Sequence, residues 1–196
     1  MIRHVSAVLL AGVAMLGLSA PAVNAFVPVP KSFAVPSSTA VPAGKRTLPP
    51  LGHVMFCVEY PRECRAGSRE RVAPLSQSAW RELVSVNSQV NSQIRSRHDS
   101  GPYKDVWSIS STTGDCEDYA LTKRSRLIGA GWPPLALSVA VVEAPGLGTH
   151  AVLVARTDQG AFVLDNLNTN VRPWRAVGYQ WAKIQSDTDP HNWMTF

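Results

Sequence analysis

The sequence predicts an α+β domain, with helices in the first half of the chain and an antiparallel β-sheet in the second. Three observations lead there. Between Ser76 and Arg97, Trp80, Leu83, Val84, Asn87, Val90, Asn91 and Ile94 recur at the three- and four-residue spacing of a helix. From Asp115 to Ile128 a second helical pattern runs into Gly129-Ala130-Gly131, with Pro133-Pro134 beyond. After that point the chain turns to short apolar runs, two of which flank Asp158-Gln159-Gly160 and read as a hairpin.

In chain order, Met1-Ile2-Arg3-His4 is a short positive start, Val5 to Leu18 is almost wholly apolar, and Val23-Asn24-Ala25 supplies the small residues of a signal-peptidase site. The apolar run falls short of the roughly 20 residues that a membrane-spanning helix requires. Residues 1–25 are therefore expected to be a cleaved signal peptide, and the mature protein to be exported and periplasmic. Residues 26–51 are rich in Pro, Ser, Ala and Val without periodicity, the pattern of a flexible leader. Residues 52–196 are read as one folded domain, long enough for a real core.

Within that domain, Ser76 or Ser78 can cap the first helix. Trp80, Leu83 and Ile94 are expected in the core, and Asn87 and Asn91, one turn apart, are expected to bind neighbouring backbone. Ser100-Gly101-Pro102 breaks the chain, Lys104 to Ile109 is too short to assign, and Ser110 to Gly114 is a polar loop leading into the second helix. Strands are expected over residues 136–142, 150–156, 161–164 and 179–184.

The formal net charge is +5, and one less once Arg3 leaves with the signal. The basic residues are scattered, Lys123, Arg124 and Arg126 among them, and no basic run is interleaved with aromatics. Nucleic acid is therefore excluded as a partner, and the charge is read as serving solubility. There are three cysteines. Cys57 and Cys64 are close, flank a proline turn and belong to an exported chain, so they are expected to form a local disulfide. No second Cys/His pair completes a zinc site with them. Cys116 is left as a free thiol.

Cys116 opens the second helix. Unpaired N–H groups and the helix dipole at that position favour a thiolate and can hold an oxyanion. His150 follows the glycine-rich Pro145-Gly146-Leu147-Gly148 at the mouth of a strand, where a neutral imidazole can take a thiol proton. Asp165 ends the partner strand of the same hairpin, where its carboxylate can fix the imidazole tautomer. Each alone has a plainer reading: an inert buried cysteine, a structural histidine, a turn aspartate. The conjunction points to nucleophilic catalysis.

Gly114-Asp115-Cys116-Glu117-Asp118-Tyr119-Ala120, His150-Ala151-Val152-Leu153 and Leu164-Asp165-Asn166, with Trp80, Val86-Asn87, Val90-Asn91 and Trp107 upstream, resemble the bacterial transglutaminase-like cysteine proteinases over roughly residues 56–181. The resemblance implies a papain-like, transglutaminase-like α+β fold, with the helix that bears the nucleophile packed on an antiparallel sheet. It implies a Cys-His-Asp triad of Cys116 as nucleophile, His150 as base and Asp165 as orienter. It also implies calcium, carried by Asp115 and Glu117 on either side of the nucleophile. Oxygen ligands of this kind suit that ion. Two carboxylates beside a thiol raise its pKa unless a cation offsets them.

The best-known members, LapG-like periplasmic proteases, cut surface adhesins at a paired-alanine site and release biofilm cells, and an inhibitory membrane receptor sequesters them. The expected function is thus an exported cysteine endopeptidase acting through an acyl-enzyme on a periplasmic or surface protein. This chain differs in carrying the polar Ser108 to Thr113 where the adhesin-releasing proteases have a longer, more acidic segment, and in its Cys57/Cys64 pair. An amidase or transglutaminase would share the chemistry up to the acyl-enzyme. A non-catalytic peptide-binding module is the reading from another class.

Overall fold

The computed structural model describes residues 41–99, 105–110 and 112–196. The expected signal peptide and residues 26–40 of the expected leader lie outside the described residues. Three helices are described, α1 (Leu51–Glu59), α2 (Gln77–Gln93) and α3 (Cys116–Gly129). The strands are β1 (Arg46–Thr47), β2 (Arg95–Ser96), β3 (Thr113–Gly114), β4 (Leu137–Ala144), β5 (Gly148–Thr157), β6 (Gly160–Leu164), β7 (Arg172–Pro173), β8 (Gln180–Gln185) and β9 (Trp193–Thr195).

Among the described residues the main sheet has seven strands in the order β1-β9-β8-β4-β5-β6-β7, every neighbouring pair antiparallel. Strand alternation splits β5 between two apolar layers. Ala151, Leu153 and Ala155 join the cluster that contains Trp80 and Leu83 of α2 and Leu121 and Leu127 of α3. Val152 and Val154 join a second cluster with Trp174 and Ile184, backed by Trp181 and Phe196. Helix α3 packs on β5 and β4, and α2 packs on α3. Sandwiched in this way, α3 is buried without interruption from Glu117 to Arg124.

Local chemistry accounts for the helix starts. Ser76 Oγ accepts from Ala79 N at 3.1 Å and caps α2. The expectation that α2 continues to Arg97 is corrected: Ile94 takes extended backbone (φ −86, ψ 128), and Arg95–Ser96 pairs in parallel with Thr113–Gly114. A tertiary ladder there outweighs the helical period. The expected extended leader is corrected at its end, because Arg46 and Thr47 pair with β9 and Gly44 N donates to Thr195 O at 2.7 Å. Helix α1 was not foreseen. It buries Gly52, His53, Phe56 and Cys57, and a Cβ at Gly52 would lie 2.2 Å from the Trp107 ring, so only glycine lets α1 approach so closely. Cys57 at the end of α1 is joined to Cys64, with Cα atoms 5.6 Å apart.

The basic residues of α3 are also corrected. Arg124 is not surface charge: it is 2% exposed and donates to the carbonyls of Glu63 (2.7 Å), Leu137 (3.1 Å) and Pro134 (3.4 Å). It thereby ties α3 to the disulfide loop. Its guanidinium also lies 3.6 Å from the Glu63 carboxylate.

His53, on the buried face of α1, has Trp193 Nε1 donating to its Nδ1 at 3.2 Å and the Gln185 side-chain nitrogen 2.8 Å from its Nε2. Both ring nitrogens face N–H groups, which an imidazolium, a donor at both, cannot satisfy. Burial first, and the positive charge of Arg124 next, lower its pKa from 6.5 to about 4. Between those values the unfolded chain takes up a proton that the folded chain refuses, so stability falls as pH drops through this window and levels off below it. Chemical denaturation at pH 7 and pH 4.5 should show wild type losing about 2–3 kcal/mol more than His53→Gln. An equal loss in both proteins would remove His53 as the cause.

Candidate active site

Cys116 is the first residue of α3, with Asp115 as its N-cap residue. The turn is held by Asp118, whose carboxylate accepts from Asp115 N (3.3 Å), Ser108 N (2.8 Å) and Ser108 Oγ (3.0 Å). A Cβ at Gly114 would sit 2.3 Å from Asp118 Oδ2, so the glycine makes room for that carboxylate. The polar segment before the helix is thus a strap on α3, and Ser110 N extends it by donating to Thr122 Oγ1 at 3.0 Å.

The thiol of Cys116 is half-buried and donates to Glu117 Oε2 at 3.3 Å. Its pKa is pushed up to about 12, by burial first and by the Glu117 carboxylate next, although the Ala151 N–H pulls it down. This corrects the expectation that a helix start favours the thiolate. Desolvation, with the neighbouring acidic groups second, outweighs the dipole's fractional charge.

His150 lies in β5 and Asp165 immediately follows β6, on neighbouring strands. Both are buried, and His150 Nε2 is 2.8 Å from Asp165 Oδ1. Asp165 also accepts from Leu167 N at Oδ1 (3.0 Å) and from the Tyr179 hydroxyl at Oδ2 (2.5 Å). Burial would raise the pKa of Asp165, but the hydrogen bonds from His150, Tyr179 and Leu167 outweigh it and leave the carboxyl below its ordinary range. The segment after Asp165 is held from α2: Asn91 Nδ2 donates to Asp165 O (2.8 Å) and Asn87 Nδ2 to Thr169 O (2.9 Å). The two asparagines bind backbone, as their spacing predicted. Tyr179 was read only as the start of a strand, because nothing local to it marks a partner for a carboxylate fourteen residues away.

Cys116 and His150 line one cleft of about 230 Å³, together with Asp115, Glu117 and Trp107. Asp165 stands behind His150, hydrogen-bonded to it. Trp107 is buried and spends its indole N–H on Asp105 Oδ1 at 2.7 Å.

Asp115 and Glu117, the two expected metal ligands, are joined by Asp99, and one carboxylate oxygen from each lies within 4.8 Å of the others. Asp99 was missed. It reaches the site because the β2–β3 ladder sets the chain after Ser96 beside the chain after Gly114, and its backbone N–H donates to Asp115 Oδ2 at 3.3 Å. Asp115 Oδ1 is buried with no hydrogen-bond partner among the described residues. Glu117 is held well above the carboxylate range, by burial first and by the adjoining Asp115 carboxylate next. Three clustered carboxylates with an orphaned oxygen fit a hard divalent cation. The other cluster of metal-ligating types, His53 with Cys57 and Cys64, has its sulfurs committed to the disulfide.

Residues 43–196 match the family model described as bacterial transglutaminase-like cysteine proteinase, BTLCP. The chain belongs to this family. That family is one of cysteine proteinases, and the α+β fold described above is of the transglutaminase-like kind that its description names. Among solved structures it is similar to Legionella pneumophila LapG, at 23% identity over 54% of this chain and 62% of that one, with a TM-score of 0.44. An EGTA-treated form of LapG aligns at 22% identity over the same shares, with a TM-score of 0.44. A calcium-bound form aligns at 20% identity over 67% of this chain and 82% of that one, with a TM-score of 0.45. The chain thus spans less than two thirds of the first of these structures. No curated protein matches.

One more charged group on α3 is buried rather than at the surface. Lys123 is fully buried, its Nζ has no hydrogen-bond partner among the described residues, and it lies 5.8 Å from the centre of the Tyr119 ring. Burial lowers its pKa from 10.5 to about 7, against the opposing pull of the Asp165 charge. Between those values the unfolded chain holds a proton that the folded chain lacks, so this group makes stability rise with pH across the window. Between pH 7 and pH 8.5, wild type should gain about 2 kcal/mol on Lys123→Met in denaturant titrations. Parallel pH profiles for the two proteins would show that Lys123 does not titrate there.

Proposed function

We propose that the protein is an exported cysteine endopeptidase in which Cys116 attacks a peptide carbonyl, His150 relays the proton and Asp165 orients His150. The observation that carries this reading is the bond from His150 Nε2 to Asp165, made in a cleft that Cys116 shares with His150. Asp165 accepts two further hydrogen bonds and is held ionised, so the ring's Nε2 carries the hydrogen and Nδ1 is left as the acceptor.

In the forward step, Nδ1 takes the Cys116 proton and the sulfur bonds to the carbonyl carbon. The oxyanion so formed is met by N–H groups at the start of α3. The Nδ1 proton then passes to the amide nitrogen, the C–N bond breaks, and the amine product leaves an acyl-enzyme at Cys116. Water, deprotonated by the same Nδ1, attacks the thioester; the carboxylic product departs and the proton returns to the thiol.

Asp99, Asp115 and Glu117 would hold calcium, in keeping with the donor types and with the clustering of their oxygens. Calcium bound there would neutralise the carboxylate charge that now opposes a Cys116 thiolate. The thiol must also leave Glu117 Oε2 to reach His150, and a Glu117 carboxylate otherwise engaged no longer competes for its proton. The substrate is proposed to be a periplasmic or surface protein such as an adhesin, with an inhibitory membrane receptor as a second partner. The signal-like residues 1–25 support export.

Purified protein with calcium should be alkylated at Cys116 by iodoacetamide faster than an ordinary thiol, and His150→Ala should slow this by at least about 100-fold. Alkylation at the same rate in His150→Ala would sink the triad. Calcium should raise the melting temperature, and titration calorimetry should give Asp99→Asn a calcium affinity weaker by about tenfold or more. An unchanged affinity would place the cation elsewhere. Loss of the calcium effect in Asp115→Asn but not in Asp99→Asn would return the site to two carboxylates.

A further inference from the structure

Helix α1 is apolar on two faces. Gly52, His53, Phe56 and Cys57 form its buried face, while Leu51 (73% exposed), Val54 (41%), Met55 (60%) and Val58 (73%) form a second stripe that faces outward. A surface helix of a soluble domain ordinarily keeps one apolar face. Leu51 and Met55 from this stripe, with Phe56, Tyr60 and the exposed Val106, line a groove of about 560 Å³. Asp105 and Trp107 line both this groove and the cleft that holds Cys116 and His150. The groove therefore adjoins the cleft, with Trp107 forming part of the wall of each. Two carboxylates, Glu59 and Asp105, border it.

We propose that this groove is a substrate subsite, which takes a bulky apolar side chain of an extended polypeptide that carries a basic residue beside it. The proposal rests on the cysteine-endopeptidase reading and adds a substrate class to it. Adjacency to the cleft selects the occupant: a polypeptide whose scissile carbonyl sits at Cys116 must leave the cleft along its walls, and the wall at Trp107 is shared with the groove that Met55 and Leu51 line. Burying a large side chain against those residues removes apolar surface from water on both partners. Glu59 and Asp105 select the flanking charge. The geometry has the features of a specificity pocket beside a nucleophile, apolar in its body and charged at its rim.

The test is a positional library of internally quenched peptides, cleaved with calcium by wild type, Met55→Glu, Leu51→Asp and, as a control at an exposed apolar residue outside the groove, Val72→Glu. Wild type should favour Leu, Met or Phe at one subsite with Lys or Arg next to it. Met55→Glu and Leu51→Asp should raise KM for those peptides about tenfold or more with little change in kcat, while iodoacetamide still alkylates Cys116 at the wild-type rate. Val72→Glu should behave as wild type.

An unchanged kcat/KM and unchanged preference in both groove variants would overturn the proposal. So would sedimentation that shows a dimer dissociated by Met55→Glu, since the groove would then be filled by a second copy. Failure of the underlying reading has a different signature: cleavage that survives Cys116→Ser.

Discussion

The burial of α3 is the constraint on which the rest depends. The helix is pressed between the sheet and α2, and every residue from Glu117 to Arg124 is buried. Four of those eight residues are Asp, Glu, Lys or Arg, and the fold treats each differently. Asp118 is satisfied by backbone and hydroxyl donors and so shapes the turn that presents Cys116. Arg124 is satisfied by three carbonyls and pins the disulfide loop. Glu117 faces other carboxylates, and Lys123 has no hydrogen-bond partner among the described residues. The satisfied charges are structural, whereas Glu117 adjoins Cys116 and Lys123 feels the charge of Asp165. A fold that leaves buried charge unsettled beside a free thiol keeps that site's protonation open to control by what binds there.

The sheet supplies the complementary half. Neighbouring antiparallel strands bring His150 and Asp165 within hydrogen-bond reach, although fifteen residues separate them in sequence. Asp165 then works as a hub: His150, Tyr179 and Leu167 donate to its carboxylate, and Asn91 donates to its carbonyl. With so many donors the aspartate has little reason to take a proton and little freedom to turn. An N–H at Nε2 of His150 would be held from behind by this carboxylate. Positioning of this kind comes from rigid elements, two strands and α2, rather than from the loops around the cleft.

Cysteine placement follows the same division. Cys57 and Cys64 are tied together at the end of α1, which leaves Cys116 as the free thiol among the described residues. That crosslink, the Arg124 fork and the Gly52–Trp107 contact hold α1 against the body of the domain. Trp107 is shared between the buried cluster with His53 and Trp193 and the wall of the cleft. Core packing and the wall of the cleft thus share one ring.

Much of this was legible in the chain. The helical period of α2, the glycine stops after α3 and the hairpin at Asp158-Gln159-Gly160 are local signals, and local backbone preference was enough to place them. The residues Cys116, His150 and Asp165 could be picked out because a helix start, a strand mouth and a strand end are positions defined by neighbours in sequence. Helix α1, the parallel β2–β3 ladder, the place of Asp99 beside Asp115 and the contact of Tyr179 with Asp165 could not. Each depends on a partner distant along the chain, and local periodicity carries no information about such partners. The sequence by itself determined which groups could do chemistry and roughly which elements carry them. Tertiary structure decided their protonation and their company. Desolvation and the nearness of charge are properties of space, and burying α3 raised the pKa of Cys116 where its place at a helix start alone implied a lower one.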